Sequence, residues 1–594
     1  MSEADLKARA ARLKAMMNES STNPPDSRPT APANTEGQDA SRNVIVSKVS
    51  LPSLTRNPKF SDGSIFSLGH LVAAALSMQF RNGSGFRIGP PTQPQAGNID
   101  IVPDGDQDLP PLLEVGFHRV SPFIRRRQVY EQIERLYDHR STTSSSLERR
   151  NDMFQLFMIL AIGAPFAKRK RPEMAPIRYY ASAMRYADVL SETTGDIQIQ
   201  NTLFLLVFAH QHAIGIGSRW KLARQAMRIC LQLGYHKAST RPLDPIAEQM
   251  RRRLFWCCYV QERYAARGLG RPMVIAESDI TIEFPDHINL DDERNGLVPD
   301  PFNRSEVSVL NRQAQLRRIS TKVRAELYTR RDLAQVEFQT RAEIANRLSA
   351  ELEQWRVLHA ECSITPYSKC IFETREYMDV NYYRERMFIY SALVVPTGSE
   401  LHAFRPDVHY LRLCLEPAVQ IIFLYQVMLQ KGIQTTLWTL VQDILRSGFM
   451  TLYCGIHISN ILSDCEKIGS PTAPNLPEPS VLIKALDDCR QMLRDISLKW
   501  TAVSPHWVAF DRLAGEVKQL IEGSSKSNTP VNQIGEGTTS MVMNHQMNSS
   551  GLWDIPMDMA YWDDLLDGDI NMNEVFGFDF NVFAQPTVPW NGQR

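Results

Sequence analysis

The chain has 594 residues, of which 43% are hydrophobic and 22% charged, and its formal net charge is zero. This length exceeds what one small core requires, and the composition is that of a folded globular protein, so disorder throughout the chain is excluded. The charge is unevenly divided, because residues 527–594 hold nine acidic residues and one basic residue and therefore carry −8. A basic body with an acidic tail is expected.

The first hundred residues contain one clear periodic segment. Residues 3–17 predict a short amphipathic helix whose apolar stripe is formed by Leu6, Ala10, Leu13 and Met17. It could be the end of a dimeric coiled coil or a frayed surface helix, since two heptads are marginal alone. Residues 18–43 are rich in Ser, Asn, Pro and Thr and predict a disordered linker. Residues 44–110 predict an irregular linker region that contains one short helix.

From residue 112 to about 515, apolar residues recur at three- and four-residue spacing, which predicts helices and no substantial sheet. The predicted helices are 129–137, 153–162, 179–190, 197–212, 219–233, 245–267, 320–356, 380–393, 411–430, 438–462 and 481–501. Asp244 is expected to cap one helix and Gly234 to end another. The fold class is therefore all-α, a large multilayered helical domain with disordered N-terminal and C-terminal regions. The resulting division is 1–43 helix and linker, 44–110 irregular, 111–515 helical domain, 516–552 linker and 553–594 acidic tail.

The nine cysteines all lie at or after Cys230, and no two have the C-x-x-C spacing of zinc ligands. We interpret them as reduced, small apolar residues of helices. The longest apolar stretches, 154–167 and 202–208, are too short for a membrane span, so no membrane partner is expected.

The segment 250–286 reads MRRRLFWCCYVQERYAARGLGRPMVIAESDITIEFPD. It resembles the central landmark of the fungal-specific transcription factor domain, the middle homology region of the zinc binuclear cluster family. In that family a helix rich in Arg, Trp and Tyr leads into Gly-Arg-Pro and an acidic, strand-like exit. The residues that carry the resemblance are Arg251, Arg252, Arg253, Leu254, Trp256, Tyr259, Arg263, Gly270, Arg271, Pro272, Asp279 and Pro285.

The resemblance covers roughly residues 110–510, with weaker likeness at 113–123, 223–236 and 413–418. It implies a regulator of RNA polymerase II transcription in the nucleus of a fungus that contacts DNA. One departure is the run Ile124-Arg125-Arg126-Arg127, where the family usually has a proline and a histidine. The other is that no cysteine precedes Cys230, so the six-cysteine DNA reader is absent here.

No cofactor is therefore expected in this chain, and zinc only if a cysteine cluster lies upstream of Met1. DNA contact would come from such a cluster or through a partner factor. The alternative is a helical ligand-binding or scaffold protein, or co-regulator, without direct DNA binding.

The arginines of 250–286 have two interpretations. Arg251 and Arg252 lie off the apolar stripe of their helix, and they could pair with acidic groups or remain solvated. They could instead contact DNA phosphate. We favour pairing, because the resemblance places the segment inside the regulatory core.

The tail interleaves eight acids with aromatic and aliphatic residues from 553 to 583, without Lys or Arg, which is typical of an activation domain. Repulsion among the acids would keep the apolar groups open to a coactivator groove with a basic rim. The alternative is that the tail folds back onto the basic body. The candidate activation residues are Trp553, Trp562, Leu565, Leu566, Phe576 and Phe578.

Lys168, Arg169, Lys170 and Arg171 form a basic run before a proline, which could be a nuclear import signal or a solvated loop. His210 and His212 point to different sides of a helix and make a poor metal pair. No P-loop, H-E-x-x-H or G-x-S-x-G motif occurs, and no catalytic residues are predicted. The chain is therefore not expected to be an enzyme.

Overall fold

The computed structural model describes residues 121–137, 145–164, 175–211, 219–268, 271–291, 305–329, 336–360, 372, 374–395, 405–432, 438–468, 477–499 and 503–526. These ranges contain fourteen α-helices and no strand, which confirms the predicted all-α class. The predicted N-terminal helix, both linkers before residue 111 and the acidic tail lie outside the described residues.

Seven helices surround a first hydrophobic core. They are α1 (Arg126–Tyr137), α2 (Ser146–Gly163), α3 (Ala175–Met184), α4 (Val189–Glu192), α5 (Gly195–Gln211), α6 (Arg219–Gln232) and α7 (Pro245–Gly268). The α5 helix is buried on nearly all sides from Ile199 onward, as its continuous apolar sequence requires. The predicted helix ends are confirmed, since Asp244 accepts from the backbone N–H of Ala247 at 3.0 Å and Gly234 has a φ of +71°.

A chain of buried amides crosses the first core. Gln132 donates to Gln155 at 2.7 Å, Gln155 to Asn201 at 2.8 Å, and Asn201 to Asn151 at 2.8 Å. Each bond joins side chains that would be costly to bury without a partner. The chain therefore fixes the relative positions of α1, α2 and α5.

The other seven helices form a second core. They are α8 (Ser308–Leu327), α9 (Phe338–His359), α10 (Arg375–Val394), α11 (Val408–Gln430), α12 (Trp438–Ile468), α13 (Pro479–Lys499) and α14 (Ser504–Lys526). The α8 helix joins the two cores, because Leu310 and Ala314 lie in the first and Leu316 onward in the second.

The single helix predicted over 320–356 is wrong. The chain instead forms an antiparallel pair, in which Trp355 donates to the carbonyl oxygen of Arg312 at 3.3 Å and Lys322 lies 2.5 Å from Glu351. One continuous helix of that length would extend over roughly 55 Å. It would carry the apolar stripe of α9 away from the second core, so burial of that stripe decides the break.

No helix was predicted after residue 501, but the structure has a further one, α14, which begins at Ser504. It runs to Lys526, past residue 515 where the helical domain was expected to give way to linker. Val517 and Ile521 are each 1% exposed and pack closely against Gly455 of α12. Their contacts, which are distant in sequence, extend the helix into a segment whose composition predicts a linker.

The α11 helix has 23 residues and is long and apolar enough to cross a membrane, by length and composition only. It was not among the two apolar stretches considered in the sequence analysis. In the structure, its face from Leu411 to Met428 packs into the second core. Phe423 on the opposite face is half exposed. This is the geometry of a core helix of the helical layers.

Candidate functional site

The central helix α7 holds most of the residues singled out in the sequence. Every residue from Arg253 to Val260 is buried, so α7 is surrounded on all sides over two turns. Leu254, Cys257 and Val260 form the apolar stripe of α7 and belong to the first core. Met250 instead packs with Ile288 and Leu290 in a small separate cluster.

After α7 the chain returns along it as residues 271–291, here named the return segment. Arg263 donates to the carbonyl oxygen of Ile275 at 2.6 Å, and Trp256 to that of Glu283 at 2.8 Å. Gln249 both donates to the Asp286 carboxylate and accepts from the Asp286 N–H at 3.0 Å. Residue numbers rise in the segment as they fall in α7, so the two run antiparallel.

The return segment, residues 271–291, forms no β-strand and pairs with none. Its regular structure is limited to one 3-10 turn, Glu277–Asp279. Backbone carbonyls that a strand would pair with another strand are paired with side chains of α7. Polar and aromatic side chains of the sequence landmark therefore hold the return segment against α7 through hydrogen bonds.

Arg251 and Arg252 bind the protein itself. Arg251 donates to the carbonyl oxygens of Gly234, at 3.2 Å, and Lys237. Arg252 forms ion pairs at 3.0 Å with Glu248 and Glu283. This geometry favours the pairing interpretation over phosphate contact for both residues.

Arg253 is fully buried and donates to the Glu306 carboxylate and, at 2.7 Å, to the carbonyl oxygen of Ile288. Arg263, also fully buried, lies between Glu262 and Glu277. Burial by itself would lower the pKa of Arg263, but these carboxylates outweigh burial and raise that pKa above its ordinary value. The Arg263 guanidinium therefore remains charged, and the hydrogen bonds of both arginines stabilise the return segment.

The turn between α7 and the return segment is held by another arginine. Arg324 of α8 donates to the carbonyl oxygens of Ala266, at 3.2 Å, and Arg271. The Arg271 guanidinium lies 4.5 Å from the centre of the Trp220 ring. Pro272 and Asp279 are exposed, and Gly270 lies outside the described residues.

Two predicted groups have no structural description. The candidate import residues Lys168, Arg169, Lys170 and Arg171 lie outside the described residues, as do the candidate activation residues of the tail. Within the described ranges, no group of three or more His, Cys, Asp or Glu side chains could hold a metal ion.

Residues 114–357 match the family described as the fungal specific transcription factor domain. The match includes the first core, the return segment and α8, and it ends within α9. The predicted resemblance is confirmed for this part of the chain.

Three relatives illustrate the likeness. Pyrimidine pathway regulatory protein 1 of Saccharomyces cerevisiae is 23% identical over 326 residues, 53% of this chain and 35% of that protein. Activator of stress genes protein 1 of Candida albicans is 26% identical over 188 residues, 29% of this chain and 18% of that protein. The ABC-transporter-regulating transcription factor of Aspergillus fumigatus is 30% identical over 141 residues, 23% of this chain and 15% of that protein. The alignments span about a third of the first relative's length and less of the other two.

Sequence reasoning missed a second group of charged residues. Arg267 of α7, Arg317 of α8, and Arg384 and Glu385 of α10 meet between the two cores and are buried. The available signal was an Arg-Glu pair inside an apolar helix, in the run YYRERMF. Charged residues flanked on both sides by core residues indicate pairing in the interior.

Proposed function

We propose that this chain regulates transcription by RNA polymerase II in the nucleus of a fungus. The observation that carries the proposal is the match of residues 114–357 to the fungal specific transcription factor domain. Relatives from three fungi, named as a regulatory protein, an activator of stress genes and a transcription factor, support it. The names of these relatives describe regulation, so we propose no catalytic role.

The helical body and the acidic tail would have different roles. The helical body serves as the regulatory part, since its landmark arginines bind internal carboxylates and carbonyl oxygens. DNA contact then comes from a zinc cluster outside this sequence or through a DNA-bound partner, with a dimer formed through residues 3–17. The acidic tail would recruit coactivators, because its aromatics lie among eight like charges without a basic residue from 553 to 583.

A tethered reporter tests the activation role. The full chain is fused to an unrelated DNA-binding domain, and transcription from its operator is measured. We expect strong activation that falls at least about tenfold when Trp553, Trp562, Leu565, Leu566, Phe576 and Phe578 become alanine, because the acids alone offer no apolar anchor.

The matched control replaces Asn548, Ser549 and Ser550 by alanine and should leave activation unchanged. Protein levels are compared by immunoblot. A fusion as active without residues 553–594 as with them would contradict the role of the tail.

A second experiment tests the import signal. The full chain carrying a fluorescent protein is imaged before and after Lys168, Arg169, Lys170 and Arg171 are replaced by alanine. We expect nuclear fluorescence to fall, because import receptors bind such clusters through their charge. Replacement of Arg149 and Arg241, two exposed arginines elsewhere, is the control. Unchanged nuclear signal in the fourfold variant would remove this role.

The alternative function is a co-regulator that never binds DNA itself. The inward pairing of Arg251, Arg252 and Arg253 favours it over direct contact through α7. Crosslinking of the untethered chain to promoters, with and without its DNA-bound partners, distinguishes the two. Persistence of the crosslinks without any partner would contradict the co-regulator.

A further inference from the structure

The α11 helix has an apolar face that points away from the second core. Although the helix is unusually apolar, only 44% of its most apolar stretch is buried. Phe423 is 51% exposed, and Val419 and Val427, one turn to either side of it, are half-buried. Single exposed apolar residues are ordinary at a protein surface, whereas a continuous apolar stripe indicates contact with another molecule.

The sequence of this outward face is the same in both chain directions. The residues three positions from Phe423 are Gln420 and Gln426, and those four positions from it are Val419 and Val427. All five retain accessible surface, and they lie within about 60° of Phe423 around the helix axis. Such a face is complementary to a second copy of itself laid antiparallel, because a two-fold axis beside Phe423 sets each position opposite its counterpart.

The charges that border the face are self-complementary as well. Glu416, seven residues before Phe423, lies 3.5 Å from the guanidinium of Arg386 in α10. Lys431, eight residues after Phe423, pairs with Glu376 of α10. Antiparallel copies would bring Glu416 of one beside Lys431 of the other, and Arg386 beside Glu376. Parallel copies would instead bring like charges together, so the charges select the antiparallel arrangement.

Neighbouring helices hold the outward face in a fixed position. On one side Glu416 contacts Arg386 of α10, and on the other Gln426 donates to the carboxylate of Asp488 in α13 at 3.1 Å. The opposite face of α11 packs into the second core from Leu411 to Met428. Little conformational freedom would therefore be lost when another helix packs against this face.

We propose that α11 is a dimer interface, at which a second copy of this chain packs its own α11 antiparallel about Phe423. At the usual helix spacing of about 8 to 10 Å, Val419 and Val427 of both copies surround the two Phe423 rings. One helix face per copy is a small interface, so we expect a Kd on the order of 10 μM. The contact is separate from residues 3–17, and pairing there would raise the local concentration of the α11 faces.

The inference goes beyond the proposed function, and its test is the self-association of the purified full chain by sedimentation velocity. Every sample carries Leu6→Lys and Leu13→Lys, which remove the apolar stripe of the other predicted dimer contact. We expect a monomer–dimer equilibrium whose Kd rises at least about tenfold in Phe423→Arg, because a charge replaces the central aromatic residue. Val508→Arg, at a 53% exposed position of α14, is the matched control and should leave the Kd unchanged.

Disulfide crosslinks test the register of the two helices. Under mild oxidation Phe423→Cys should give a covalent dimer, because two copies of a residue beside the two-fold axis lie close together. Glu416→Cys should not crosslink to itself, since its two copies would be roughly 21 Å apart along the helices, but should crosslink when mixed with Gln430→Cys. The chain without added cysteine gives the background of the nine native thiols, and Val508→Cys is the control.

Three results would overturn the proposal. They are a monomer at every concentration, a Kd unchanged by Phe423→Arg, or a crosslink no stronger at position 423 than at position 508. If circular dichroism shows that Phe423→Arg is not folded, the crosslinks decide. Self-association is measured without DNA or transcription, so a dimer with a silent reporter contradicts only the proposed function, and an active reporter with a monomeric chain contradicts only this inference.

Discussion

The indole N–H of Trp256 donates to the backbone carbonyl oxygen of Glu283 over 2.8 Å. The two residues are 27 positions apart, and the bond ties the middle of α7 to the middle of the return segment. The Trp256 ring also lies 4.3 Å from the Phe284 ring and 5.0 Å from the Arg318 guanidinium. One side chain thus connects α7, the return segment and α8.

Trp256→Phe should therefore destabilise the protein by about 2 to 4 kcal/mol, because it removes the bond to Glu283 and leaves space in a fully buried site. The measurement is the shift of the urea midpoint, followed by circular dichroism. Trp507→Phe is the matched control, since its indole N–H has no partner in the described structure. If Trp256→Phe lost no more stability than the control variant, the stabilising role of the hydrogen bond from Trp256 to Glu283 would be contradicted.

Removing one partner of the buried ion pair between Arg253 and Glu306 should be strongly destabilising, whereas removing both should cost less than the two single losses together. Arg253→Met leaves the Glu306 carboxylate buried, 8% exposed, and should cost about 3 to 5 kcal/mol. The double variant Arg253→Met, Glu306→Leu should cost clearly less than the sum of the single variants, because no charge is then left behind.

The control for this cycle is the pair of exposed Lys484 and partly buried Asp488 in α13, where Lys484→Ala should cost under about 0.5 kcal/mol. Urea unfolding of all variants gives the values. Additive losses at Arg253 and Glu306 would mean that the two charges are not coupled.

Stability should fall in mild acid through His457. Burial lowers the pKa of this imidazole from 6.5 to about 4, so in the folded protein it stays neutral where the unfolded chain binds a proton. Its contribution is complete above pH 6.5 and is lost as the pH falls toward 4. Between about pH 7 and pH 5 the loss should be about 2 kcal/mol.

His457→Phe keeps a ring beside Tyr453, 4.7 Å away, and removes the titration, so its urea midpoint should fall less over that pH range than the wild-type midpoint. His409→Phe changes an exposed ring and should behave as the wild type does. An identical pH response in all three proteins would refute the role of His457.

Two glycines in helices should respond oppositely to alanine. A Cβ at Gly448 of α12 would lie 2.6 Å from the Phe510 ring and 2.7 Å from the Cys489 sulfur, so Gly448→Ala should destabilise by about 1 to 3 kcal/mol. Gly515 of α14 has nothing within 4 Å of that position, and Gly515→Ala should stabilise by up to about 1 kcal/mol. Thermal unfolding compares the two, and a stabilised Gly448→Ala would show that the α12–α14 contact is looser than described.

The amino-acid sequence by itself determined the all-α class, most helices, the caps at Asp244 and Gly234, and the landmark around Trp256. These features rest on local spacing and on backbone hydrogen bonds within a few residues, which periodicity and composition report directly. The same information did not show that α8 ends at Leu327 or that α14 continues to Lys526. In both places burial against distant helices outweighs the local pattern.

Tertiary structure alone decided the partners of the charged residues. Arg267 and Glu385 are 118 positions apart and meet only because α7 and α10 pack at the junction of the two cores. Nothing in their local sequences identifies that pairing, since any buried arginine could satisfy any buried carboxylate. The long-range packing of apolar faces brings these charges together at the junction of the two cores.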